Sequence, residues 1–219
     1  VWQTYDYYFE PTAAYFAIKK ASEPLHIQWN PATDEVEVVN YSAGTHKGLT
    51  AKVQILNMDA SVAWEKEATV DSNEDTTNKC IKLAFPANLS KVHFIKMVLT
   101  ENGKVVSDNF YHRSLEENNY QDLRQLAKVA LQSTTTVDKN ADGTWSAVSV
   151  IENKTSTPAL MIRLNVVGSK DGQQLLPVFY SDNYFSLLPG EKKEVRMSWK
   201  DEDTRGNEGK VLITGYNVE

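Results

Sequence analysis

Polar and apolar residues alternate with a period of two along most of the chain after residue 24. The run LHIQW places Leu25, Ile27 and Trp29 on one face of a strand, and the turn residues NPATD separate it from a second run, EVEVVNY. Further runs continue to Arg113, and Asn102-Gly103 between two of them predicts a tight hairpin, because a type I′ turn needs positive φ at both positions. The pattern predicts about seven strands in this part of the chain.

A second set of alternating runs begins at residue 129 and reaches the end of the chain. Its predicted strands are VALQSTTTV, TWSAVSVIEN, ALMIRLNVV, LLPVFY, NYFSLL, KKEVRMSW and KVLITGYNV. Short strands at regular spacing with turn residues between them are typical of a β-sandwich. Two such sets predict an all-β chain with two sandwiches in tandem, and the candidates to fill their cores are Trp29, Trp64, Trp145 and Trp199.

The residues before the first strand have a different period. Pro11 suits the first turn of a helix, and apolar residues follow at i, i+3, i+4 and i+7, at Ala14, Ala17, Ile18 and Ala21. Glu23-Pro24 ends the pattern. A helix of roughly 10 to 12 residues is marginal alone in water, so this apolar stripe needs a partner surface.

Composition and charge narrow the function classes. The 219 residues carry a net charge of −6 without a Lys/Arg cluster, which disfavours nucleic acid as a partner. No apolar run reaches the roughly 18 residues of a membrane span. The chain begins with Val1 and no signal peptide follows, so we expect an excised piece of a longer protein. The single cysteine, Cys80, excludes an internal disulfide and is predicted to be a buried structural thiol.

Most acidic residues lie in predicted loops, where solvation explains them. Only Asp6 and Glu10, inside the aromatic opening VWQTYDYYFE, have a setting typical of a site. The run Asp138 to Gly143 matches the first half of a calcium loop, but Ser149 stands where the bidentate Glu belongs, so a hairpin turn is favoured over a weak calcium site.

Other recognisable motifs add little. The histidines are scattered and lack the spacing of a metal site, and no phosphate-binding loop or nucleophile elbow is present, so neither a metal ion nor a cofactor is predicted. Three glycosylation sequons begin at Asn40, Asn88 and Asn153, and they matter only in a eukaryotic source.

The opening stretch resembles a specific junction in glycoside hydrolase family 2 enzymes of the exo-β-D-glucosaminidase and β-mannosidase type. The resemblance rests on the residues 5–8 (YDYY), Pro11, and 19–26 (KKASEPLH). In that family the last helix of a catalytic (β/α)₈ barrel leads into immunoglobulin-like domains. The stretch 181–195 and the closing TGYNV also resemble the final domain of the group.

The resemblance implies a domain plan and a function. Residues 1–23 would be the last helix of an upstream catalytic barrel, 24–115 an immunoglobulin-like sandwich, 116–128 a linker and 129–219 a second immunoglobulin-like sandwich. The catalytic glutamates would precede Val1, so no catalytic residue is assigned. Trp2, Tyr5 and Asp6 would neighbour the substrate pocket of the intact enzyme, although packing between barrel and sandwich is the favoured interpretation. A periplasmic or extracellular bacterial location is expected.

Three hypotheses stay open. The chain is the non-catalytic C-terminal portion of such a glycosidase, with the barrel and, through the intact enzyme, a glycan as its partners. Alternatively it is a pair of carbohydrate-binding modules whose exposed aromatics would include Tyr180, Tyr184, Phe185 and Tyr216, although the favoured interpretation of these residues is that they fill the core or a sheet edge. A third alternative is an immunoglobulin-like adhesion or spacer module, in which residues 1–22 have no contact surface.

Overall fold

The computed structural model describes residues 3–219, and their contacts divide the chain into two compact units. One unit contains residues 19–125. The other contains residues 126–219 together with the segment up to Ile18. Each unit holds one β-sandwich, so the all-β fold class with two immunoglobulin-like sandwiches and one short helix is confirmed. The predicted boundaries near residues 23, 115 and 128 stay predictions.

The first sandwich contains seven strands: β1 Leu25–Asn30, β2 Glu35–Asn40, β3 His46–Asn57, β4 Val62–Ser72, β5 Thr76–Lys82, β6 Val92–Glu101 and β7 Lys104–Ser114. Strands β1, β2 and β5 form one antiparallel sheet, and the second sheet has the order β4-β3-β6-β7. The predicted hairpin between β6 and β7 has positive φ at both Asn102 and Gly103, as a type I′ turn requires.

The second sandwich also contains seven strands: β8 Gln132–Lys139, β9 Thr144–Glu152, β10 Ala159–Gly168, β11 Phe179–Tyr180, β12 Phe185–Leu187, β13 Lys192–Lys200 and β14 Gly209–Thr214. They form sheets of order β12-β10-β14 and β11-β13-β9-β8. Strands β11 and β12 are much shorter than the predicted runs LLPVFY and NYFSLL, because only Phe179–Tyr180 and Phe185–Leu187 have ladder partners.

Inward-facing residues of the two sheets fill each core. In the first sandwich these include Ile27, Val38, Val53 and Ile95, all fully enclosed. Alternate positions of an antiparallel sheet face opposite sides, which is why the period-two pattern located this core. In the second sandwich Trp199 is buried, whereas Trp29, Trp64 and Trp145 are only partly buried against their cores.

The single α-helix described, α1, runs over Ala13–Ala21, and short 3₁₀ helices occupy Gln121–Gln125 and Asp201–Thr204. The prediction that Pro11 lies in the first turn of the helix is wrong, because Pro11 forms a bridge with Tyr5 before the helix begins. Among residues 3–219 no helix is long and apolar enough to cross a membrane.

Two of the three glycosylation sequons serve the fold. The Asn153 side chain is fully buried, and its amide donates to the carbonyls of Thr157 and Leu187 at 2.8 and 3.0 Å. Its oxygen accepts the N–H and the hydroxyl of Thr155. All of its hydrogen-bonding capacity is therefore used within the second sandwich.

Asn40 has the same arrangement in the first sandwich. Its buried amide donates to Gly44 and Ser72, and its oxygen accepts the N–H and the hydroxyl of Ser42. Asn88 is exposed instead. The Asn-x-Ser/Thr pattern at positions 40 and 153 is thus an Asx turn that closes a strand end.

We predict that Asn153→Ala lowers the free energy of unfolding of the second sandwich by about 2–3 kcal/mol, because it removes a fully buried side chain and deprives the buried carbonyl of Leu187 of its amide donor. Asn88→Ala, at an exposed sequon, is the matched control and should change it by less than about 0.5 kcal/mol. Urea unfolding followed by tryptophan fluorescence measures both. Equal stability of the two variants would contradict the structural role of Asn153.

Candidate functional site

The aromatic opening forms a closed loop. The carbonyl of Thr4 accepts the N–H of Thr12 at 2.9 Å and its hydroxyl at 3.0 Å. Tyr5 and Pro11 form an isolated antiparallel bridge just inside that closure. The ends of residues 4–12 are therefore fixed to each other, and the aromatic side chains between them project from an ordered turn.

Asp6 shapes the interior of this loop. Its carboxylate accepts the N–H groups of Tyr8 and Glu10 at 2.8 and 3.0 Å, and its own carbonyl accepts the N–H of Phe9. Phe9 adopts a left-handed φ of 62°, which is unfavourable for a bulky residue and needs such support. The role that the structure gives Asp6 is to stabilise a turn.

Two contacts attach the segment to the second sandwich. The Glu10 carboxylate pairs with the guanidinium of Arg163 on β10. Phe16, only 6% exposed, belongs to the core of this sandwich, with ring centroids 6.4 Å from Tyr180 and 5.9 Å from Tyr184. Burial of a phenylalanine contributes roughly 1.5–3 kcal/mol, so Phe16 is the main anchor of α1.

An apolar cavity of about 410 Å³ lies beside this anchor. Its walls come from the opening loop, from the start of α1 and from the stretch 177–180. The rings of Tyr5, Phe9 and Phe179 line it while remaining largely exposed. We call this space, with the residues that line it, the aromatic cavity. Exposed aromatic surface of this kind marks a place where another molecule or another part of the protein packs.

The predicted apolar stripe of the helix has no cover. Ala14, Ala17, Ile18 and Ala21 are all exposed, Ile18 to 56%, whereas Phe16 on another face is buried. Phe16 is thus the residue of the helix that enters the core of the second sandwich, and the stripe of smaller apolar residues is exposed.

The predicted site residues have different outcomes. Trp2 lies outside the described residues. Tyr5 lines the aromatic cavity, and the Asp6 carboxylate is engaged within the loop. Sequence reasoning missed Phe16 and Phe179, and the only available signal was the aromatic density of the opening. The position of Trp2, Tyr5 and Asp6 next to a substrate pocket stays a prediction.

A charged network surrounds Glu23 within the unit that contains residues 19–125. One carboxylate oxygen of Glu23 pairs with the Lys20 ammonium at 2.9 Å. The other accepts a hydrogen bond from the Ser107 hydroxyl at 2.7 Å and lies 3.2 Å from the His26 ring nitrogen Nδ1. Burial would raise the pKa of Glu23, but the hydrogen bonds from His26, Lys20 and Ser107 outweigh it and lower the pKa to about 2. The carboxylate is therefore ionised and fixed at neutral pH.

Other candidates for chemistry are structural. The run Asp138 to Gly143 forms the β8–β9 turn, in which Asp142 accepts the N–H and hydroxyl of Thr144, and the described residues contain no cluster that could hold a metal ion. The Cys80 thiol donates to the Val36 carbonyl at 3.3 Å, and burial raises its pKa to about 11, so it is a poor nucleophile.

The aromatics considered for sugar binding are mainly core residues. Tyr180 is buried, and Tyr184 and Phe185 pack against the second core, which agrees with the favoured interpretation of these residues as core fillers. Only Tyr216 of that set remains widely exposed.

Fold and contacts together define a pair of immunoglobulin-like sandwiches that carry an aromatic N-terminal segment. The sequence model of the family described as the exo-β-D-glucosaminidase Ig-fold domain matches residues 109–218, half of the chain. The chain belongs to this family.

Individual relatives agree with the family match. The chain is 32% identical to an exo-β-D-glucosaminidase of Streptomyces avermitilis, over 99% of the chain and 26% of the relative. It is 30% identical to an exo-β-D-glucosaminidase of Hypocrea jecorina, over 100% of the chain and 26% of the relative. The crystal structure of the Amycolatopsis orientalis exo-chitosanase superposes with a TM-score of 0.91 at 29% identity, over 99% of this chain and 28% of that one. The chain spans about a quarter of the length of these relatives.

We predict that Phe16→Ala destabilises the second sandwich by about 3 kcal/mol, because it removes a core ring and leaves a cavity. Ile18→Ala, on the exposed stripe of the same helix, should change stability by less than about 0.5 kcal/mol. Urea unfolding measures the difference, and limited proteolysis of the opening loop should be faster in Phe16→Ala alone. Similar losses for both variants would show that the stripe, and not Phe16, holds the helix.

We further predict that Glu23→Gln lowers the free energy of unfolding of the first sandwich by about 1.5–3 kcal/mol at pH 7, since hydrogen bonds to a charged group are lost. The folded-state pKa of about 2 lies below the ordinary value of 4.5, so the stabilisation is complete above pH 4.5 and disappears as the pH falls through about 2. Unfolding curves between pH 7 and pH 2 should therefore converge for the two proteins. A constant difference across that range would contradict this role.

Proposed function

We propose that the chain is the non-catalytic C-terminal β-sandwich portion of a family 2 exo-acting β-glycosidase, of the exo-β-D-glucosaminidase or β-mannosidase type. Its task in carbohydrate degradation would be mechanical, namely to brace the catalytic barrel of the same polypeptide. The family match and the quarter-length coverage of glucosaminidase relatives support this proposal. Neither distinguishes a glucosaminide from a mannoside as the substrate.

The observation that carries the proposal is the unpartnered apolar surface of the N-terminal segment. Tyr5, Phe9 and Phe179 at the aromatic cavity, together with Ile18 on the helix stripe, expose side chains that are usually buried. This segment is also the one that resembles the barrel junction. We propose that the barrel covers this surface in the full-length protein, where each Å² of apolar area removed from water contributes roughly 25 cal/mol.

The acids of the segment fit a bracing role. Asp6 is engaged by backbone N–H groups and Glu10 by Arg163, so both contribute to the shape of the segment. A position of Trp2, Tyr5 and Asp6 next to the substrate of the intact enzyme remains part of the proposal. A periplasmic or extracellular location in a bacterium is also part of the proposal. The relatives named above come from both Streptomyces avermitilis and Hypocrea jecorina, so they do not decide the kind of organism.

We predict that Ile18→Glu destabilises the full-length protein and leaves the isolated chain unchanged. In the isolated chain the side chain is exposed, so a charge there costs nothing; against a barrel it would be buried without a partner. Thermal unfolding of both proteins measures the effect, which should reach several degrees in the full-length protein. Val105→Glu, at a similarly exposed valine of the first sandwich, is the matched control.

Activity tests the glycosidase assignment separately. The full-length protein should hydrolyse p-nitrophenyl β-D-glucosaminide or the corresponding β-mannoside, and the isolated chain should hydrolyse neither. No activity in the full-length protein, or activity in the isolated chain, would contradict the assignment. Equal melting temperatures of full-length wild type and Ile18→Glu would contradict the bracing surface.

A further inference from the structure

A second cavity, of about 550 Å³, lies on the outer side of the β1-β2-β5 sheet in the first sandwich. The segment 21–24 after the helix forms one wall, and the rest includes His26 and Gln28 of β1, Tyr41 just beyond β2, and Thr77 of β5. We call it the outer-sheet pocket. It differs from the aromatic cavity in kind, because amide, hydroxyl and imidazole groups alternate with apolar atoms around it.

The sheet makes the floor of this pocket rigid. His26 is paired with Val39 on the neighbouring strand, and Val39 with Thr77 on the next, so these side chains form a row on one face. His26 is 3% exposed and is held by the ionised Glu23, which shares the ammonium of Lys20 with Asp108. The carboxylates beside the floor thus outnumber the ammonium of Lys20, and each is engaged by groups of this sandwich.

A buried carboxylate orients the polar groups above that floor. Gln28 donates its amide to Glu37 at 3.0 Å, and Glu37 is itself 6% exposed. Because the amide N–H₂ is held by Glu37, the carbonyl oxygen of Gln28 is the end left to accept a hydrogen bond from a ligand. Because the Gln28 side chain is already fixed, it loses little conformational entropy when a ligand binds to it.

The rim carries a flat aromatic ring. Tyr41 is 69% exposed, yet its backbone is fixed, because its N–H donates to the carbonyl of Pro24, another residue that lines the pocket, at 2.6 Å. The preceding Asn40 is also fixed by its four hydrogen bonds. An exposed tyrosine ring on a rigid backbone offers apolar contact area at low entropic cost, with a hydroxyl at its edge.

We propose that the outer-sheet pocket binds a neutral hexopyranose unit of a glycan chain. Such a sugar has an apolar C–H face that stacks on Tyr41 and a rim of hydroxyls that both donate and accept, matching the carbonyl of Gln28 and the hydroxyls of Thr77 and Ser22. The excess of carboxylates around Lys20 disfavours an anionic ligand. The cavity volume lies within the usual range of small-molecule sites. This activity is separate from hydrolysis and goes beyond the proposed bracing function.

The test is a titration of the ¹⁵N-labelled 219-residue chain with two neutral probes, mannohexaose and N-acetylchitohexaose. We expect saturable amide shifts at residues 22–28, 39–41 and 77 with at least one probe. Tyr41→Ala should weaken that binding by at least about tenfold, a loss of about 1.4 kcal/mol. Tyr41→Phe keeps the ring and should retain most of the affinity. Tyr216→Ala, an exposed tyrosine of the second sandwich, is the matched control and should bind like the wild type.

The full-length protein provides the second arm. There Tyr41→Ala should reduce retention on an immobilised polymer of the probe that binds, while hydrolysis of a small aryl glycoside stays unchanged.

No shifts with either probe, shifts centred on the aromatic cavity, or equal affinity of wild type and Tyr41→Ala would overturn the inference. Binding by the isolated chain but no effect of Tyr41→Ala on retention of the full-length protein would show that the rest of the protein covers the pocket, which also overturns it. None of these outcomes bears on the glycosidase assay or on Ile18→Glu, so the two proposals fail independently.

Discussion

The insertion of Phe16 into the core of the second sandwich is the contact on which the N-terminal segment depends. One ring, packed between Tyr180 and Tyr184, fixes α1, and the pairing of Glu10 with Arg163 fixes the loop before it. Because the anchor is a single large residue, the small residues of the stripe remain exposed, and so does most of the aromatic cavity. The same contact that holds the segment in place therefore determines which surface it can offer to the rest of a longer protein.

Ordered polar groups support both sandwiches in the same way. Asn40 and Asn153 each close a strand end with two donated and two accepted hydrogen bonds. In the first sandwich, the fixed backbone after Asn40 positions Tyr41, and the buried Glu37 positions Gln28. Buried polar groups cost free energy unless they are fully paired, so these networks specify one geometry for the loops that they support. The walls of the outer-sheet pocket are rigid because these networks fix Gln28 and Tyr41.

The period-two pattern was sufficient to predict most strands, because inward positions such as Val53 and Ile95 alternate regularly with polar ones. It failed at β11 and β12, where the chain makes only a few ladder bonds and the apolar residues pack from irregular backbone. The existence of the helix was predicted, but its start at Ala13 and its anchoring residue Phe16 were not. Periodicity counts apolar positions and does not weigh one buried phenylalanine against a stripe of other apolar residues. The aromatic cavity joins residues 5–16 to 177–180, and the outer-sheet pocket joins three strands. No local pattern in the sequence brings such distant residues together.

The burial of Asn40 and Asn153 has a consequence for the choice of expression host. An oligosaccharyltransferase reads Asn-x-Ser/Thr in the nascent polypeptide, before the sandwich has formed. The folded sandwich has no room for a glycan on either asparagine, because both side chains are fully buried and both amide nitrogens donate to backbone carbonyls. Secretion from yeast or animal cells would thus divert a fraction of molecules into misfolded material, whereas production in a bacterial cytoplasm avoids the problem. Replacing the hydroxyl residue, Ser42 or Thr155, would remove the acceptor signal and keep the asparagine that the fold requires.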